Sequence, residues 1–167
     1  MRGDAGIFER IDPRALGKPR GFSHGLLAPA GGRLLFVAGQ TAADGDGRIA
    51  ERGFAGQFDA ALARVLAVVA DAGGTAAHIG RMTVFVTDLA GYLASRAALR
   101  EVWRRRMGSH YPAMALVEVS RLVDADASVE LEATAVIPAK TTQHRATSAK
   151  TTSDKTIKSR ASRRQRT

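Results

Sequence analysis

Alternation of apolar and polar residues is sharpest between His110 and Ile137, in HYPAMALVEVSRLVDADASVELEATAVI. Met114, Leu116 and Glu118 fall on one side of a period-two pattern, and Ala115, Val117 and Val119 on the other. After a polar turn at Asp124–Asp126, Glu130, Glu132 and Thr134 alternate with Val129, Leu131, Ala133 and Ala135. Successive strand residues point to opposite faces, so this predicts two paired strands. The second strand then carries two carboxylates on one face and only apolar side chains on the other. A solvated sheet face explains those carboxylates as simply as a chemical role does.

Earlier in the chain, FSHGLLA (Phe22–Ala28) and RLLFVAG (Arg33–Gly39) read as strands separated by a turn at Pro29–Gly32, and predict a hairpin. Residues 1–20 read as an arm, of which 1–17 precede the domain, with Pro13 and Pro19 opposing regular structure. Phe58, Ala61, Leu62, Val65, Leu66 and Val69 recur at helical spacing within a predicted helix, Phe54–Ala72, which Gly73-Gly74 closes. RMTVFVT (Arg81–Thr87) predicts a third strand. A second helix is predicted over Leu89–Met107, with Asp88 as N-cap and Arg104, Arg105 and Arg106 in its last turn. Its apolar stripe contains Tyr92, Leu99, Val102 and Trp103, and Arg96 falls among them. An unpaired guanidinium buried there would cost several kcal/mol. Arg96 therefore either snorkels past the edge of the stripe or points into a pocket or partner subunit and meets an anion.

The resulting order, β-β-α-β-α-β-β, predicts one α+β domain with a mixed sheet and two helices on one face. Nothing in the chain covers the other sheet face, and association with further copies is the economical solution.

Composition narrows the chemistry. A chain of 167 residues supports one core. Aromatic residues make up only 5%, so Val, Leu and Ala must build that core. With no cysteine, disulfides, thiol catalysis and cysteine metal sites are excluded. His24, His78, His110 and His144 show no metal-ligand spacing, and no nucleophile elbow or dinucleotide fingerprint is present. Asp44–Gly47 is glycine-rich but lacks the lysine and following helix of a phosphate-binding loop. No apolar run approaches the eighteen or so residues that span a membrane, and the N-terminus lacks a signal-peptide core. A cytoplasmic protein without metal or cofactor is expected. The net charge of +9 is concentrated at one end: residues 138–167 hold nine basic side chains against Asp154 alone. Residues 139–167 are therefore expected to be a disordered basic tail, idle or in nonspecific contact with nucleic acid.

KPRGFSHGL (Lys18–Leu26), LLFVAGQ (Leu34–Gln40), MTVFVTDL (Met82–Leu89), YPAMALVEVSRL and VELEATAV together resemble, in order and spacing, the Rid (YjgF-like) family of reactive intermediate deaminases. The resemblance spans residues 18–138. It implies a chorismate-mutase-like fold and a homotrimeric barrel with small-molecule pockets at the subunit interfaces. It also implies hydrolysis of enamines and imines to 2-keto acids and ammonia without metal or cofactor.

By the same resemblance, Glu130 matches the glutamate that positions water, while Gly39 and Leu116 supply backbone donors. Three positions depart from the family pattern. Met114 stands where the substrate-clamping arginine follows Pro-Ala, Phe22 replaces a tyrosine, and Arg96 replaces an asparagine. A guanidinium holds a carboxylate through two parallel charged hydrogen bonds, and methionine has no donor. Efficient deamination of 2-imino acids is therefore not expected. Three readings stay open: a hydrolase with an altered substrate, a non-catalytic metabolite-binding trimer, and an RNA-binding or endoribonuclease-like protein.

Overall fold

A computed structural model describes residues 7–51 and 53–139; the proposed tail disorder lies outside them, apart from Ala139. Strands β1 (Glu9–Ile11) and β2 (Gly25–Leu27) pair antiparallel as a small separate ribbon. The main sheet holds β3 (Arg33–Gln40), β4 (Ile79–Val86), β5 (Ala113–Glu118) and β6 (Val129–Ile137), in the order β3-β6-β4-β5. Strand β5 runs parallel to β4, and β6 is antiparallel to both β3 and β4. Helices α1 (Phe54–Asp71), α2 (Leu89–Ala94) and α3 (Arg96–Met107) complete an α+β fold.

Two expected hairpins do not form. β2 pairs with the N-terminal arm rather than with β3, so the arm carries a strand despite its prolines. Pro13 lies outside the paired residues, and His24 is anchored by donating its backbone N–H to Asp12 Oδ1 at 3.0 Å. β5 and β6 do not pair either, because β4 lies between them. The segment between β5 and β6 is long enough to pass over one strand at the usual spacing of about 4.8 Å. In its central position, β6 buries Val129, Leu131, Ala133, Ala135 and Ile137.

The helices carry that burial. Phe58, Ala61, Leu62, Val65 and Val69 of α1 and Leu99, Val102, Trp103 and Met107 of α3 pack with the inner sheet side chains in one core. Burying each large aliphatic side chain contributes about 1.5–3 kcal/mol. Gly73, at φ 88°, adopts the left-handed conformation that ends α1. Asp88 caps α2, its Oδ1 accepting from Gly91 N at 2.9 Å. The second predicted helix is broken at Ser95, whose N–H is shared between the carbonyls of Gly91 and Tyr92. Arg106 and Arg105 of α3 clamp Asp59 of α1, at 2.5 and 2.8 Å. No described helix is long and apolar enough to cross a membrane.

Candidate functional site

Met114 and Leu116 lie on the helix-facing side of β5, an edge strand, where they pack against the core without being fully covered. A cavity of about 220 Å³ opens there, and α3 supplies its other wall with Arg96, Leu99, Arg100 and Trp103. Arg96 is exposed and lines this cavity.

Trp103 stacks on Tyr111 at 5.4 Å between ring centroids, with the planes 9° apart, and its indole N–H donates to His110 O at 3.1 Å. Those contacts fix the aromatic wall. Arg20 reaches the same cavity from the N-terminal arm. The arm is held by Ser23, whose N–H donates to Pro112 O at 3.1 Å and whose hydroxyl donates to Tyr111 O at 2.8 Å.

Gly39 and Glu130 form a second group on the opposite face of the sheet. Glu130 projects away from the helices, as its alternation with buried Val129 and Leu131 requires. The register between β3 and β6 shifts between Val37 and Gln40, leaving Gly39 unpaired in a bulge. A Cβ on Gly39 would overlap the Glu130 carboxylate and push it from its present position. The same face exposes Arg81, 3.4 Å from Glu132, and places Phe85 opposite Glu130 in the register.

The sheet thus separates the site residues expected to share a pocket. Arg96, Met114 and Leu116 are brought together on the helix side, and Gly39 with Glu130 on the outer side; within one chain the two groups do not meet. Phe22 joins neither: it is partly exposed and packs edge-on against His24 at 5.2 Å, while Arg20 and Gly21 line the cavity instead.

Arg100 and Arg20 were missed by sequence reasoning. Arg100 had a signal, since it follows Arg96 by four residues and so shares its helix side. Arg20 had none, because the arm reaches the cavity through hydrogen bonds to Tyr111 and Pro112, far along the chain.

The described histidines find structural partners. His110 Nε2 lies 2.7 Å from Ile79 O and its ring stacks on Phe8, and burial pushes its pKa below the ordinary value. His78 Nδ1 accepts from Thr75 N at 2.8 Å, closing a capping box. A larger cavity of about 470 Å³, near Pro29–Gly32 and Val136, is lined by no titratable side chain among the described residues.

These features define an α+β protein with one helix-covered and one open sheet face, and candidate polar groups on both. The family described as Endoribonuclease L-PSP matches residues 15–137, and the chain belongs to this family, which includes the Rid and YjgF proteins. A RutC family protein of Haemophilus influenzae is 33% identical over 105 residues, which are 63% of this chain and 80% of that protein. The crystal structure of a Rid family protein of unknown function, YyfB from Yersinia pestis, superposes with a TM-score of 0.69 at 27% identity. That match covers 78% of this chain and 99% of the other. The YjgF gene product of E. coli matches at a TM-score of 0.56 and 28% identity, over 78% of this chain and 96% of that one.

Proposed function

We propose that this Rid-family chain forms a homotrimer with a small-metabolite site between copies, and that it hydrolyses a reactive imine or enamine other than a common 2-imino acid. The observation that carries this reading is the division of the candidate residues by the sheet. Glu130 over Gly39 faces outward, Met114, Leu116 and Arg96 face the helices, and only a neighbouring copy can bring one set to the other. Glu130 would accept a proton from water as the oxygen adds to the imine carbon. The proton passes to nitrogen, and the carbinolamine collapses to a ketone or aldehyde with release of ammonia. Met114 supplies apolar surface where an arginine would grip an α-carboxylate. No metal or cofactor is required by this scheme.

The test is ammonia release from imines generated in situ by an amino-acid oxidase. Wild type should be slow on 2-imino acids, and Met114→Arg should raise kcat/KM about thirtyfold, the lower end of what a desolvated charge pair contributes. A wild-type rate matching that of an arginine-bearing relative would refute the argument from Met114. The non-catalytic alternative predicts ligand binding with no turnover in either protein, and Glu130→Gln separates the two, since only an enzyme loses rate while keeping affinity. Any nonspecific nucleic-acid contact would fall to the basic tail, residues 139–167, and a chain lacking those residues that still binds RNA would revive the endoribonuclease-like reading.

A further inference from the structure

Three guanidiniums line the 220 Å³ cavity, and no described carboxylate pairs with any of them. The contrast lies within a single helix. Toward its C-terminus Arg104 pairs with Glu101, and Arg105 and Arg106 pair with Asp59, whereas Arg96 and Arg100 pair with no described acid. Arg20 adds a third positive charge from the arm. Like charges around so small a space repel one another, and a bound anion relieves that repulsion. One carboxylate satisfies one guanidinium through two parallel hydrogen bonds, so a single carboxylate leaves the other two unanswered. The facing wall is apolar and aromatic, built from Met114, Leu116 and the Trp103–Tyr111 stack.

We propose that this cavity binds a small doubly charged oxyanion, a phosphate monoester or a dicarboxylate, with its charge toward Arg20, Arg96 and Arg100 and its organic part against Trp103. This deepens the proposed function by naming the substrate class of that site, and it rests on reading the cavity as part of the site. The cavity, about 220 Å³ and open to solvent on one side, has room for a small ligand with its charge at the rim. The charge comes from α3 and the arm rather than from β5, so the cavity is suited to ligands other than simple 2-imino acids.

Trp103 is the only tryptophan in the chain and lines this cavity, so its fluorescence gives a single-site signal for a ligand bound there. The full chain is titrated at low salt with phenyl phosphate, phenylsuccinate and benzoate. Both dianions should bind at least tenfold more tightly than benzoate, and Arg100→Gln should erase most of that preference while Arg100→Lys restores part of it. A preference for phenyl phosphate that fades below pH of about 6, where a phosphate monoester loses its second charge, marks the phosphate source. A preference confined to phenylsuccinate marks the dicarboxylate.

Equal affinities for all three ligands, or an unchanged preference in Arg100→Gln, would overturn the proposal. So would calorimetric binding that leaves Trp103 emission unmoved, because the attraction would then lie in the basic residues 140–167. Imine turnover on the same preparations separates the two claims. Turnover without dianion binding sinks this inference and leaves the function standing; dianion binding without turnover does the reverse.

Discussion

The two faces of the main sheet differ in how far one chain completes them. On the inner face Met82, Val84, Val86, Val129 and Leu131 are 0–1% exposed beneath α1 and α3. On the outer face Leu34, Phe36 and Val117 remain 58%, 74% and 42% exposed, interleaved with Arg81, Glu130 and Glu132. Thr83 lies on that face as well, its Oγ1 buried and without a described hydrogen-bond partner. An orphaned buried hydroxyl costs about 1–3 kcal/mol. The inner face is stabilised by the chain's own helices, whereas the outer face presents apolar area that the chain leaves in water. Candidate chemistry sits along both margins of this division, so completing the outer face and completing the site are one event under the proposed function.

The largest expected effect falls on the inner face. Leu62→Ala, at a fully buried position, should cost about 2–5 kcal/mol in urea unfolding, with a midpoint shift that reflects lost packing in the protomer. The outer face should respond differently. Phe36→Asp should leave far-UV circular dichroism intact while sedimentation shows smaller species and a stronger dependence on protein concentration. An assembly unaffected by Phe36→Asp would break the comparison, since the open face would then not be where copies meet.

The smallest effects are in the pH dependence of stability and arise on the helix side. The Arg106 and Arg105 guanidiniums hold the Asp59 carboxyl below its usual range against the opposing effect of burial. A depressed carboxyl contributes stability above its unfolded value, here 3.8, and loses it as pH falls through the lower folded value. Burial depresses His110 from 6.5, so the unfolded chain takes up that proton first and stability declines as pH drops below 6.5. Urea midpoints measured against pH should show both descents, and Asp59→Asn should remove only the acidic one.

Much of the architecture was legible in the sequence. The residues of α1, the Asp88 cap, and the alternation that points Glu130 and Glu132 one way and Leu131 and Ala133 the other are local properties set by periods of 3.6 and 2. The pairing partners were not legible. A strand's backbone offers the same hydrogen-bonding groups to any neighbour, so proximity along the chain suggested β2 with β3 and β5 with β6, and both were wrong. One of the cavity's three guanidiniums was legible at Arg96, and Arg100 could have been found by the same helical spacing.

By itself the sequence determined which side chains share a face of a strand or helix and where α1 runs, because these depend on neighbours a few positions away. Only the tertiary structure decided that β6 lies between β3 and β4, that the arm delivers Arg20 to the α3 cavity, and that Met114 and Glu130 stand on opposite sides of one sheet. Those facts depend on contacts between segments far apart in the chain, and no local periodicity encodes which distant segments meet.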